Sequence, residues 1–131
     1  MPSSFFLEMA AQRSVARRGA DGFEPACFDW ENKITAKLGF QDLCHVLAVL
    51  EGKAEFAGGK RDGLYHRNGR GTTVIRFRRG ENGGYLVGLS RKGNDEEEAQ
   101  RIGTVLSEAE AVGLRHVLAL GLYFMSVPHA A

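Results

Sequence analysis

The two cysteines, Cys27 and Cys44, are too few to build a disulfide framework, and Cys44 sits in an apolar run as a small hydrophobe would. No stretch resembles a secretory signal, and no apolar run reaches the 18 residues of a membrane span. The expectation is a soluble protein of a reducing cytoplasm, at the nucleoid if the source is bacterial. The Arg-rich start, Met1 to Arg18, faintly suggests organellar import, but Phe5-Phe6-Leu7-Glu8-Met9 reads better as an opening strand. Excess charge is missing too: net charge is +1 and the pI about 7.8, so the totals do not announce a nucleic-acid binder. Catalytic groupings are equally scarce. His45, His66, His116 and His129 are dispersed, and no Cys/His pair has zinc-ligand spacing. Gly80-Glu81-Asn82-Gly83-Gly84 joins two strands rather than opening a helix, which makes it a turn and not a phosphate cradle. Neither enzyme chemistry nor a cofactor or metal is expected.

What charge there is lies unevenly. Lys60, Arg61, Arg67, Arg70, Arg76, Arg78 and Arg79 gather in twenty residues against Asp62 alone, while Asp95-Glu96-Glu97-Glu98 forms an acidic turn. A surface polarised in this way steers an anionic partner. The length, 131 residues, suits one domain covering 1–131.

Periodicity divides that domain into two similar halves, about 4–52 and 53–126, each running from strands into a helix. Ser4 to Gln12 is strand-like, and Phe23 to Phe28 is a strand interrupted by Pro25, which favours an edge or bulge. From Lys33 to Leu38 the alternation is clean: Ile34, Ala36 and Leu38 on one face, Lys33, Thr35 and Lys37 on the other. Phe40, Leu43, Val46, Leu47 and Leu50 then recur at helical spacing, ended by Gly52. In the second half, strands at Gly63–His66 and Thr72–Arg79 flank an Asn68-Gly69 turn signal, and Tyr85–Ser90 and about Arg101–Leu106 follow. Ser107 and Glu110 form a capping box that opens a helix apolar on nearly all sides, from Val112 to Met125. One small sheet cannot cover such a helix, so another subunit is expected to. The tail Val127–Ala131 is expected to fray.

The chemistry concentrates in Thr72–Arg79. Ile75 and Phe77 point to the helix side, and Val74, Arg76 and Arg78 to the other. Residues two apart on a strand are about 7 Å apart, near the spacing of successive phosphates. Lys33 and Lys37 decorate the matching face of the first sheet, and Arg67 adds charge at the hairpin. Trp30, Tyr65 and Tyr85 lie close by as stacking platforms. Backbone cations interleaved with aromatic rings are how sequence-tolerant single-strand binding works, each stacked base contributing about 1–3 kcal/mol.

Several stretches together resemble the Whirly family: Phe28-Asp29-Trp30-Glu31-Asn32-Lys33 before a strand and helix, Leu64-Tyr65-His66, Arg76-Phe77, Gly84-Tyr85-Leu86-Val87-Gly88-Leu89-Ser90, and the helix entry Val105-Leu106-Ser107-Glu108-Ala109-Glu110. The resemblance covers about Phe23 to Met125. It implies an α+β fold of two antiparallel four-stranded β-sheets, each followed by a helix (a ββββα repeat), related to the kinetoplastid guide-RNA-binding proteins. It further implies a homotetramer gathered around the C-terminal helix, and single-stranded DNA bound along the sheets. Leu86 and Val87 stand where the family often has phenylalanines. Two alternatives remain open at this point: single-stranded or guide RNA as the ligand, and an oligomeric interaction module whose sheets bind protein edges.

Overall fold

The computed structural model describes residues 4–126, so the fraying expected of Val127–Ala131 lies outside the described residues. Among the described residues ten strands and two α-helices follow one another, where the periodicity implied seven strands and the same two helices. In the first half, β1 (Phe5–Met9), β2 (Gln12–Ser14) and β3 (Arg17–Gly19) run outward, and β4 (Gly22–Glu24), β5 (Cys27–Phe28) and β6 (Ile34–Leu38) run back. β1 pairs with β6, β2 with β5 and β3 with β4, all antiparallel. These strands form three two-stranded ladders in place of the four-stranded sheet that the resemblance implied. The physical reason lies in the interruptions. Pro25 has no N–H to donate and breaks the returning strand, and the register shifts between Gln12 and Ser14. Every residue of β3 and β4 is exposed, so no buried face holds further strands to this arm.

The second half is a four-stranded antiparallel meander. β7 (Leu64–Asn68), β8 (Gly71–Arg79), β9 (Tyr85–Gly93) and β10 (Gln100–Leu106) pair in sequence order. The Asn68 signal acts one residue away from where its motif suggests. Gly69 and Arg70 form the two-residue loop, and the Asn68 side-chain oxygen accepts from the N–H groups of Arg70 and Gly71 at 2.8 and 3.1 Å.

Helix α1 (Phe40–Leu50) starts where the Asp42 carboxylate accepts the Gly39 N–H at 2.9 Å, and its buried face is Leu43, Val46, Leu47, Val49 and Leu50. It ends in a left-handed Gly52, with the Lys53 N–H donating to the Ala48 carbonyl. Helix α2 (Glu108–Ser126) opens on the expected reciprocal cap, Ser107 Oγ accepting the Glu110 N–H at 3.0 Å and Glu110 accepting the Ser107 N–H at 2.9 Å. The core joins both halves: Ile34, Ala36 and Leu38 of β6 meet α1, Ile75, Phe77, Val87 and Leu89 of the meander, and Ala111 and Leu118 of α2. Phe5 rests directly on α2 at Gly121, where a β-carbon would collide with its ring. Only part of α2 is covered. Val112, Val117, Leu120, Tyr123 and Phe124 are each more than half exposed, and Val117, Leu120 and Phe124 form one stripe at helical spacing.

Candidate nucleic-acid interface

Alternation along β8 sends Ile75 and Phe77 into the core and leaves Arg76 and Arg78 exposed. Pairing extends that outer face across the meander. One row reads Arg78, Leu86, Val105; the next reads Arg76, Gly88, Gly103; a third reads Tyr65, Val74, Ser90, Arg101. Beyond them Arg67, Thr72 and Lys92 complete the face. Its cations are thus Arg67, Arg76, Arg78, Lys92 and Arg101, and none of these rows carries a carboxylate. Among the described residues none of the five makes an ion pair. Unpaired cations on one face, free of acids, present a positive surface to a phosphate backbone.

Lys92 and Arg101 are additions to what the sequence singled out. The strand expected to stop at Ser90 continues to Gly93, which carries the alternation on to Lys92. Arg101 joins the face only because β10 pairs it with Ser90, a register that composition does not reveal.

The aromatic candidates separate. Trp30 is 58% exposed and sits with Phe28, ring centroids 6.4 Å apart at 51°. Both line a groove of about 280 Å³ together with Ile102, Gly103 and Thr104 of the outermost strand β10. The short 3₁₀ turn Trp30–Asn32 is anchored from several sides. The Asp29 N–H donates to the Ala11 carbonyl at 2.8 Å, the Asp29 carboxylate takes Asn32 at 3.0 Å and Arg13 at 2.7 Å, and Gln100 of β10 donates to the Asn32 carbonyl. The Asn32 hydrogen bond foremost, with Arg13, holds the Asp29 carboxyl below its usual range. Tyr65 lies on the outer face, 38% exposed, but Arg61 already stacks on its ring at 4.3 Å. Tyr85 is a correction: it is 3% exposed, on the opposite side of the sheet, packed against Phe77 at 5.7 Å. Its parity in β9 matches Val87 and Leu89, which makes it a core residue and not a platform.

The first-half lysines differ from one another. Lys33 forms an ion pair with Glu8, whose carboxyl is held below its usual range chiefly by that contact. Lys37 makes no ion pair among the described residues and lines a polar cleft of about 300 Å³ between β6 and the meander, with His66, Arg67, Thr73 and Arg91. His66 Nε2 lies 3.1 Å from the Asp42 carboxylate at the start of α1. Lys37, Arg67 and Arg91 therefore bring positive charge from β6, β7 and β9 into the seam between the two halves.

Among the described residues no group of three or more His, Cys, Asp or Glu side chains is placed to hold a metal ion, and no helix is long and apolar enough to cross a membrane.

No family model matches this sequence, and no curated protein matches it. Solved structures do. The Arabidopsis thaliana protein WHY3 superposes with a TM-score of 0.65 at 13% identity, over 95% of this chain and 88% of that one. The plant transcriptional regulator PBF-2 gives 0.63 at 12% identity, over 95% and 81%. A guide-RNA-binding protein complex bound to a gRNA gives 0.54 at 18% identity, over 91% and 72%. The fold is that shared by Whirly proteins and guide-RNA-binding proteins.

Proposed function

We propose that this Whirly-fold chain binds single-stranded nucleic acid, DNA in the first place, without reading its sequence. The carrying observation is the outer face of the β7–β10 meander, where Arg67, Arg76, Arg78, Lys92 and Arg101 stand without a carboxylate. Cations at strand spacing hold phosphates; they carry no base information, so the binding is tolerant of sequence. The Trp30–Phe28 groove supplies stacking, which accepts every base because every base has a π-face. The two surfaces adjoin at Gly103 and Thr104, which line both the arginine-flanked groove on the sheet and the aromatic groove at its edge. A strand crossing β10 there meets phosphate contacts and ring contacts in succession. Lys37, with Arg67 and Arg91, is the contact offered in the seam, and Lys33 contributes only when the strand displaces Glu8.

The exposed stripe of α2 supports assembly in the same reading: copies of the chain cover Val117, Leu120 and Phe124 for each other, and four of them make the tetramer. RNA is the second reading, favoured by the fold shared with a complex that holds a gRNA.

Fluorescence anisotropy of labelled single-stranded DNA, single-stranded RNA and duplex DNA at two salt concentrations tests the proposal. Tighter binding of single strands than of duplex, weakening steeply with salt, supports it, and the stronger of the DNA and RNA arms names the ligand. No binding of either strand at low salt overturns it.

A further inference from the structure

Gly88 and Gly103 face each other across the β9–β10 ladder, in the middle of the sheet's outer face. The fold does not require glycine at either place. Neither has a positive φ. A β-carbon added to Gly88 would find its nearest neighbour, the Ile102 carbonyl oxygen, at 3.7 Å, and one added to Gly103 would find that of Val87 at 3.6 Å, both ordinary contacts. At Gly71 of β8, and at Gly84 in the turn before β9, the opposite holds: a β-carbon would strike the Lys92 carbonyl at the first and that of Leu106 at the second. Those glycines are needed by the chain path; Gly88 and Gly103 are not. Glycine inside a strand weakens it and commonly marks a place where a ligand or another backbone comes close.

The missing side chains leave a slot. Its floor is the bare peptide of two neighbouring strands, Leu86 and Val105 form an apolar wall beside it, and Arg76 lies next to Gly88. The groove holds about 400 Å³ and is also lined by Arg78. A flat, uncharged floor with an apolar side wall receives a planar ring; a cation at its end receives the anion attached to that ring. Volumes of this order are those of small-molecule sites. A nucleobase with its flanking phosphates joins these two parts in one ligand.

We propose that the slot over Gly88 and Gly103 seats one unstacked nucleobase against Leu86 and Val105, while Arg76 and Arg78 hold the phosphates on either side of it. The inference rests on single-strand binding as proposed above and adds to it a base seat made by absent side chains, which adjoins the aromatic groove at Gly103 and Thr104 and is reached without touching that groove at Gly88.

The test fills the slot. Gly88→Val, Gly103→Val and the double variant are measured by anisotropy against an oligothymidine and against an abasic strand of the same length. Valine suits a strand position, so far-UV circular dichroism and thermal melting should show an intact fold; alanine at both positions is the milder filling if valine unfolds the chain. The expected result is a loss of about fivefold to a hundredfold in affinity for oligothymidine, the range of one stacked base, with affinity for the abasic strand unchanged. Two results overturn the seat while leaving strand binding intact: variants that bind oligothymidine as the unmodified protein does, or variants that lose both strands equally. If the unmodified protein binds neither strand, the function proposed above falls, and the seat with it.

Discussion

Arg76 donates from Nη2 to the Tyr65 hydroxyl at 3.3 Å, across the β7–β8 pairing. The contact orients the guanidinium over the sheet and partners it with a hydroxyl rather than a carboxylate, so it is not an ion pair. Arg61, stacked on the Tyr65 ring at 4.3 Å, adds a second cation to the same corner. In the proposed reading Arg76 is thereby a preset phosphate contact, and Arg78, two residues on, is its companion, without an ion pair among the described residues.

Replacing Arg76 and Arg78 together with alanine should weaken strand binding at every sequence tested. Removing two phosphate contacts should lower the slope of log affinity against log salt by about 1.4 for a single strand. An anisotropy titration across a salt series measures this; an unchanged slope would remove both residues from the interface. Melting should be unaffected, because both side chains are exposed.

Trp30 is the chain's single tryptophan, so its fluorescence reports on the groove it lines. Strand binding should quench it, and Trp30→Ala should cost about 1–3 kcal/mol of affinity. Emission that ignores a saturating strand would place the ligand elsewhere.

The same fluorescence reads the Asp29 clasp. The Asp29 carboxyl titrates below its ordinary value of 3.8, so the folded state gains from its ionised form above that value and loses the gain as pH falls through the lowered one. Trp30 emission should hold steady from neutral pH down to the ordinary carboxylate range and shift only below it. Asp29→Asn should give a shifted emission already at neutral pH.

How much of this was readable in advance differs between the halves. Alternation in Ile34–Leu38 and Ile75–Arg78 named the inward and outward residues of β6 and of the core of β8, because a half-buried strand imposes a period of two, although Val74, read as outward, is buried. The Ser107–Glu110 cap was equally legible, since its partners lie three residues apart. Long-range register was not. Arg101 became part of the face through its pairing with Ser90, and Tyr85 left it through the parity of β9. The broken first-half arm was legible only at Pro25; no local signal stated that its strands would pair in twos.

Gly121 should tolerate no side chain while Phe5 remains. Gly121→Ala should destabilise the protein by about 1–3 kcal/mol, the usual range for overpacking, and Phe5→Leu in the same chain should recover part of the loss. Thermal melts of the single and double variants check this, and strictly additive losses would mean that the two positions are independent. Leu120→Asp with Phe124→Asp should dissociate the assembly proposed for α2, read by sedimentation.

The two halves also differ in how far apart their partners lie along the chain. Every pairing in the β7–β10 meander joins consecutive strands, whereas β1 must wait for β6, with Met9 opposite Ile34 across a long intervening arm. Short loops close at lower entropic cost than long ones. A folding chain can therefore assemble the arginine-bearing sheet from neighbours in sequence before the amino-terminal arm finds its place, so damage to that arm threatens the final docking of the molecule more than the formation of the surface proposed to meet the strand.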